Sequence, residues 1–207
     1  MEARVMTSLF LVLSLMTGIS QAAANSPVSV VKETSNGVIE RIESQRSVLE
    51  ANPSQVYDLV NELVIPHFDF ISMSKWVLGK NWKSANEAQR GEFIEQFKTL
   101  LVRTYARALL EYSGQEVKYF PVEQNPNSNL AVVKTELTSS GTQPFPVAYR
   151  MHQKNEKWKV VDIAVDGVSL VSTYRGSFAS QIKKNGFDSL IQKLSDKNEK
   201  LAKNLSK

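Results

Sequence analysis

The second half of the chain contains four short apolar segments that are separated by turn-like sequences. The candidate strands are Glu116–Pro121, Leu130–Leu137, Phe145–His152 and Trp158–Val165. The segments between them are rich in Asn, Ser, Gly and Pro, which are the residues that turns prefer. They are too short to contain the crossover helix that parallel strands require. The spacing therefore predicts a curved antiparallel sheet of about four strands.

The first half of the chain has the apolar periodicity of helices. Apolar residues recur at helical spacing from Val30 to Val64, and a longer stripe that includes Phe93, Phe97 and Tyr105 predicts a helix over 86–113. Two further helices are predicted after Tyr174. A chain with helices first, then hairpin-linked strands, and then helices again is typical of an α+β domain in which helices pack on the sheet.

The stretch Trp158–Phe178 combines a strand, a turn and an apolar continuation. Alternation predicts that Val161, Ile163 and Val165 share one face of the strand. The dipeptide Asp166-Gly167 then predicts a turn, because glycine readily adopts positive φ. The apolar continuation after this turn carries no obvious catalytic group. This pattern favours a protein that holds an apolar ligand over one that performs chemistry on its substrate.

The N-terminal residues have the plan of a secretory signal peptide. The segment 5–19 is almost wholly apolar, and three alanines, Ala22 to Ala24, follow it. An apolar run of about 15 residues is short for a membrane anchor, the alternative, which needs about 20. We predict cleavage after Ala24, with Ala22 as the second choice. Residues 1–24 are then the signal peptide, and 25–207 form a single domain. An exported domain of this size without cysteine is typical of a bacterial periplasm.

The composition offers few groups for catalysis or metal binding. The chain has no cysteine and two histidines, His67 and His152, neither of which has a ligand at metal-binding spacing. The net charge of +4 comes without a basic run that contains aromatic residues, so we expect no nucleic-acid partner. Asp162 and Asp166 keep one alternative open, an isomerase or hydrolase with a carboxylate in an apolar pocket.

Three segments of the chain together resemble the MlaC family, which is also called the toluene-tolerance auxiliary family. They are the run Leu78–Gln115, the pair VAYRM and WKVVDI, and VDGVSLVSTYRGSF followed by GFDSLIQKL. The resemblance covers nearly the whole chain after residue 24, and the motifs keep their order and spacing. It implies a fold similar to nuclear transport factor 2 with additional helices.

The resemblance also implies a function and partners. Members of this family are periplasmic phospholipid carriers without enzyme activity or cofactor, in which phospholipid is the cargo. The implied partners are an outer-membrane lipoprotein–porin complex and an inner-membrane MCE-domain protein with its ABC transporter. The implied role is maintenance of outer-membrane lipid asymmetry, and we expect a monomer.

Alternation and the family fold together select the residues that we expect to contact acyl tails. All lie on the predicted inner face of the sheet, on the long helix, or in the apolar continuation after the turn. They are Tyr105, Val147, Tyr149, Met151, Ile163, Val165, Val168, Leu170, Val171 and Tyr174.

Overall fold

The computed structural model describes residues 26–122, 128–139, 141 and 143–205. The predicted signal peptide lies outside these residues. The described helices are α1 (Pro27–Ser44), α2 (Arg46–Ala51), α3 (Val56–Leu63), α4 (Phe70–Leu78), α5 (Asn81–Ser84), α6 (Glu87–Tyr105), α7 (Leu170–Asn185) and α8 (Phe187–Leu205). Short 3₁₀ segments lie at Pro53–Gln55, Ile65–His67 and Ala106–Glu111. None of the described helices is both long enough and apolar enough to span a membrane.

The strands form one antiparallel sheet in chain order. They are β1 (Glu116–Tyr119), β2 (Leu130–Thr138), β3 (Phe145–Lys154), β4 (Lys157–Val165) and β5 (Val168–Ser169). The predicted α+β class and the antiparallel sheet are confirmed, with β5 as a short fifth strand after the predicted turn. Asp166 and Gly167 form that turn with φ of 49° and 79°.

Helix boundaries follow local capping chemistry. Ser26 accepts a hydrogen bond from the backbone N of Ser29 at 3.0 Å, and Asn86 caps α6 in the same way through Gln89. The helix predicted over 86–113 is shorter, because regular α-helix ends at Tyr105 and a 3₁₀ segment follows. Helix α7 begins earlier than predicted, since the Ser169 hydroxyl accepts a hydrogen bond from the N of Ser172 and caps it at that point.

A β-bulge in β4 changes which residues share a face. Arg150 pairs with Asp162 and Met151 pairs with Val160, so Val161 is an extra residue in the ladder. Val160 consequently joins Ile163 on the face toward α1, while Val161 packs among α4, α6 and α7. The prediction that Val161 shares a face with Ile163 and Val165 is therefore wrong, because a bulge shifts the alternation by one residue.

One group of helices packs around an aromatic core. We define the aromatic core as Phe93, Phe97, Tyr174, Phe178 and Phe187, whose neighbouring rings lie 5.3 to 6.1 Å apart. These residues come from α6, α7 and α8. Phe93 and Phe97 are fully buried. Large rings at these distances fill the space between the helices, so this part of the molecule is a packed interior.

Candidate functional site

An apolar cavity lies between the sheet and helices α1, α3 and α6. Its volume is about 320 Å³, at the lower end of the range for small-molecule sites. The wall consists almost wholly of apolar side chains. Helix α1 contributes Val30, Val31 and Val38, and α3 contributes Val60. An apolar cavity of this kind suits a hydrocarbon chain, although the Thr34 hydroxyl in its wall is buried without a hydrogen-bond partner.

Valine explains why this space stays open. Eight of the 22 residues that line the cavity are valines. Valine has a short, β-branched side chain with little rotamer freedom in a helix, so it cannot extend into a neighbouring void. The valines of α1 and α3 face the sheet across the cavity, and no aromatic ring from those two helices lines it.

Five of the ten residues predicted to contact acyl tails line the cavity. They are Tyr105, Tyr149, Ile163, Val165 and Leu170. Tyr149, Ile163 and Val165 lie on the face of the sheet that borders the cavity, and Leu170 is the first residue of α7. Tyr105 lies at the end of α6 and keeps 42% of its surface exposed, which places it at the rim. The structure thus brings three sheet residues and two helix residues of the prediction together around one cavity.

The other five predicted residues lie outside the cavity wall. Met151 is buried in the cluster between α1 and the sheet, and Val147 is buried on β3. Val171 and Tyr174 pack in the helical core, because α7 begins at Leu170 and carries them away from the sheet face. Val168 is 61% exposed beside the turn.

The cavity wall also includes segments that the sequence prediction missed. The missed residues come from α1, α3 and the segment that links α3 to α4, and include Val30, Val31, Val38, Val60, Val64, Ile65, Phe68 and Phe70. The sequence did contain a signal for the helical part. Valine recurs in α1 and α3, although longer apolar residues such as leucine have a better helix propensity. The role of the linking segment depends on a long-range contact that sequence periodicity does not reveal.

The linking segment pairs with the edge of β4 at Val160, beyond the two residues of β4 that pair with β5. Phe68 forms an isolated parallel bridge with Val160, and the backbone N of Asp69 donates to the Val160 carbonyl at 3.0 Å. The Asp69 carboxylate caps α4 through Ser72 N at 2.9 Å and lies 3.0 Å from His152 Nε2. Burial raises the pKa of Asp69, but the Ser72 hydrogen bonds and the nearby cations outweigh burial and lower it overall.

Two ionisable side chains in the wall stay neutral. Burial lowers the pKa of His67, and the charge of Lys159 lowers it further, against a smaller opposite effect of Glu33. Burial raises the pKa of the Tyr149 phenol. At neutral pH the imidazole and the phenol are therefore uncharged, which suits an apolar ligand.

Neither candidate catalytic carboxylate lines the cavity. Asp162 is 0% exposed and accepts hydrogen bonds from Ser169 Oγ at 2.6 Å, Val171 N at 3.1 Å and Arg150 Nη1 at 3.2 Å. These donors join β3, β4 and the start of α7, so the Asp162 carboxylate has a structural role. Asp166 lies in the exposed turn. Within the described residues, no group of three or more His, Asp or Glu side chains is placed to hold a metal ion.

Comparisons with known proteins agree with this architecture. A solved structure of a phospholipid-binding protein from Ralstonia solanacearum, in complex with a phospholipid, matches with a TM-score of 0.78 and 31% identity. The match covers 84% of this chain and 97% of that protein. The structural similarity therefore extends over the helices and the sheet that form the cavity.

Sequence relatives and a family model give the same result. The chain is 28% identical over 167 residues to toluene tolerance protein ttg2D of Pseudomonas putida, covering 80% of this chain and 77% of the relative. It is 24% identical over 175 residues to the intermembrane phospholipid transport system binding protein MlaC of Haemophilus influenzae, covering 83% and 82%. The model of the MlaC protein family matches residues 32–196. The chain therefore belongs to the MlaC family.

Proposed function

We propose that this protein binds a phospholipid, holds the acyl tails in the apolar cavity, and carries the lipid through an aqueous compartment. The observation that carries the proposal is the cavity itself, which lies between strands β3 and β4 and valine-rich helices. The similar protein from Ralstonia solanacearum was solved with a phospholipid bound. The proposal therefore assigns the same class of ligand to this cavity.

The energetics of transfer agree with a passive carrier. Exposing an acyl chain of about 15 methylenes to water costs about 12 kcal/mol, at about 0.8 kcal/mol per methylene. The cavity removes that cost by replacing one apolar environment with another. The free-energy difference between lipid in a bilayer and lipid in the protein can then be small, so the carrier itself needs no ATP. Any direction of transport comes from its partners.

The compartment and partners of the proposal follow from the family. We place the mature protein in the periplasm, as a monomer that moves phospholipid between an outer-membrane lipoprotein–porin complex and an inner-membrane MCE-domain protein with its ABC transporter. The similarity to the Haemophilus influenzae relative, an intermembrane phospholipid transport system binding protein, supports this proposal. Outer-membrane lipid asymmetry is the expected outcome of such transport.

The alternative function, an isomerase or hydrolase, depends on Asp162 or Asp166 as a carboxylate in the pocket, and neither residue lines the cavity. An isomerase or hydrolase of this fold needs a carboxylate that projects into the pocket. Asp162 instead uses its oxygens to connect β4 to α7, and Asp166 lies in a solvent-exposed turn. A carrier therefore fits the geometry better than an enzyme.

Native mass spectrometry of the gently purified mature protein tests the proposal. The chain is expressed with its own N-terminal segment in a Gram-negative host, so that it meets its natural lipids before purification. We expect a mass increase of one phospholipid, and dissociation in the gas phase should release that lipid for identification. A ligand-free mass after this procedure would contradict the proposal.

A further inference from the structure

A second concave region, the lysine groove, lies directly beside the cavity. We define the lysine groove by Lys98, Lys154, Lys157 and Lys159, together with the apolar Ile71 and Ile94. The carboxylates of Asp69 and Glu95 also line it. Its volume is about 510 Å³. Three residues, Ile65, Phe68 and Phe70, line both the groove and the cavity. The two spaces therefore adjoin each other at these side chains.

The charges in the groove are only partly neutralised. Lys98 pairs with Glu95, and Lys154 lies 3.7 Å from the Asp69 carboxylate. Lys157 and Lys159 take part in no ion pair among the residues that the structure describes, and Lys159 Nζ donates to the neutral carbonyl of Pro66. The groove thus offers two cations without a carboxylate partner, which is the complement of a phosphate group.

An amphipathic ligand matches the two neighbouring spaces together. The cavity is apolar and its ionisable wall groups are neutral, so an ionised phosphate inside it would lose hydration without compensation. The groove is basic and open to water. Because both spaces share Ile65, Phe68 and Phe70, a ligand with tails on one side of this wall can place its phosphate on the other.

We infer that the lysine groove is the phosphate subsite of the lipid carrier, with Lys157 and Lys159 as the residues that contact the phosphate. This inference rests on the proposed function. It assigns the glycerol phosphate of the lipid to the Ile65–Phe70 wall and the tails to the cavity. The stacked rings of Phe68 and Phe70, 5.7 Å apart, line both spaces and lie at their boundary.

The test compares soluble lipids with and without the phosphate. Dioctanoyl phosphatidylglycerol and dioctanoylglycerol carry the same tails, and each is titrated against a fluorescent fatty-acid probe bound to the mature protein. We expect the wild type to bind the phosphatidylglycerol at least about tenfold more tightly than the diacylglycerol. Glycerol 3-phosphate, which lacks tails, should compete at least about 100-fold more weakly than the phosphatidylglycerol.

Removing the two cations should abolish the preference for phosphate. The double variant Lys157→Gln/Lys159→Gln should lose about tenfold in affinity for the phosphatidylglycerol and keep the wild-type affinity for dioctanoylglycerol. The matched control, Lys134→Gln/Lys184→Gln, makes the same charge change outside the groove and the cavity and should bind both lipids as the wild type does. This control separates a local phosphate contact from a general effect of net charge.

The outcomes distinguish failure of the inference from failure of the function. Unchanged phosphatidylglycerol affinity in Lys157→Gln/Lys159→Gln, or an equal loss in both double variants, would overturn the subsite and leave the carrier intact. Glycerol 3-phosphate competing as well as the lipid would assign the groove to small phosphate compounds instead. A wild type that binds neither lipid would overturn the proposed function and the inference with it.

Discussion

The aromatic core and the cavity are two apolar regions with opposite packing. The aromatic core is filled by rings of α6, α7 and α8, whereas the cavity is enclosed by valines of α1 and α3 and by the face of the sheet. Leu101 and Met73 pack in the same cluster as the aromatic core and also line the cavity, so the two regions share a boundary. The comparison teaches that the size of the apolar side chains, and not their number, decides whether space between layers is filled or left for a ligand.

The largest expected effect on stability comes from the removal of a ring from the aromatic core. The removal of a ring from the cavity wall is the comparison. Phe97 is fully buried against three aromatic rings, so Phe97→Ala should lower the free energy of unfolding by about 3–5 kcal/mol. Phe68→Ala, the matched change in the cavity wall, should cost clearly less because Phe68 already borders a void. Urea denaturation measures both values. Equal losses of stability in the two variants would show that the cavity is closed in solution, and would contradict the contrast between the two regions.

The next largest effect on stability is expected for the buried carboxylate of Asp162. Asp162→Asn keeps the shape of the side chain but removes the charge that its three donors require, so we expect a loss of about 1–3 kcal/mol in stability. Asp166→Asn, in the exposed turn, is the control and should be close to neutral. Phospholipid binding should survive in both folded variants. Loss of binding in a stable Asp162→Asn protein would mean that this carboxylate acts on the ligand.

A larger residue in the cavity wall should reduce phospholipid binding with little change in stability. Ile163→Phe adds a ring to the wall of the void, and we expect its stability to stay within about 1 kcal/mol of the wild type. Phospholipid binding should nevertheless fall by at least about tenfold, because the ring occupies the space of the tails. A thermal melt and the fluorescent probe measure the two quantities. Full binding by this variant would place the tails elsewhere.

Loss of the ionic contacts of Asp69 should have the smallest effect on the free energy of unfolding. The size of that effect should depend on pH. The folded pKa of Asp69 lies below its ordinary value of 3.8, so its contribution is complete above that value and is lost as pH falls through the lower folded pKa. Asp69→Asn keeps a capping oxygen for α4 but loses the charge beside His152 and Lys154. We expect wild type to exceed this variant in stability by at most about 1 kcal/mol at pH 6, and the difference to close as pH falls through the lowered folded pKa of Asp69. A difference that is constant with pH would exclude an ionic role.

The sequence predicts the fold better than it predicts the site. Alternation and turn residues locate β2, β3 and the turn at Asp166, because hairpins depend on local signals. The same alternation misplaces Val161, since a bulge is decided by cross-strand pairing. Eighteen of the 22 residues that line the cavity come from helices and from the segment that links α3 to α4. They meet the sheet through long-range contacts such as the Phe68 bridge to Val160. Whether an apolar face is filled or hollow depends on both partners of the contact, and no single segment carries that information.

A crystal structure of the protein with its co-purified ligand tests the central claim most directly. The account predicts acyl-chain density in the cavity, in contact with Tyr149 and Ile163 on one side and with Val31 and Val38 on the other. The aromatic core should show the same ring packing with and without ligand. Density for the tails between α6 and α7, or a cavity closed by its own side chains in a lipid-bound crystal, would contradict the account.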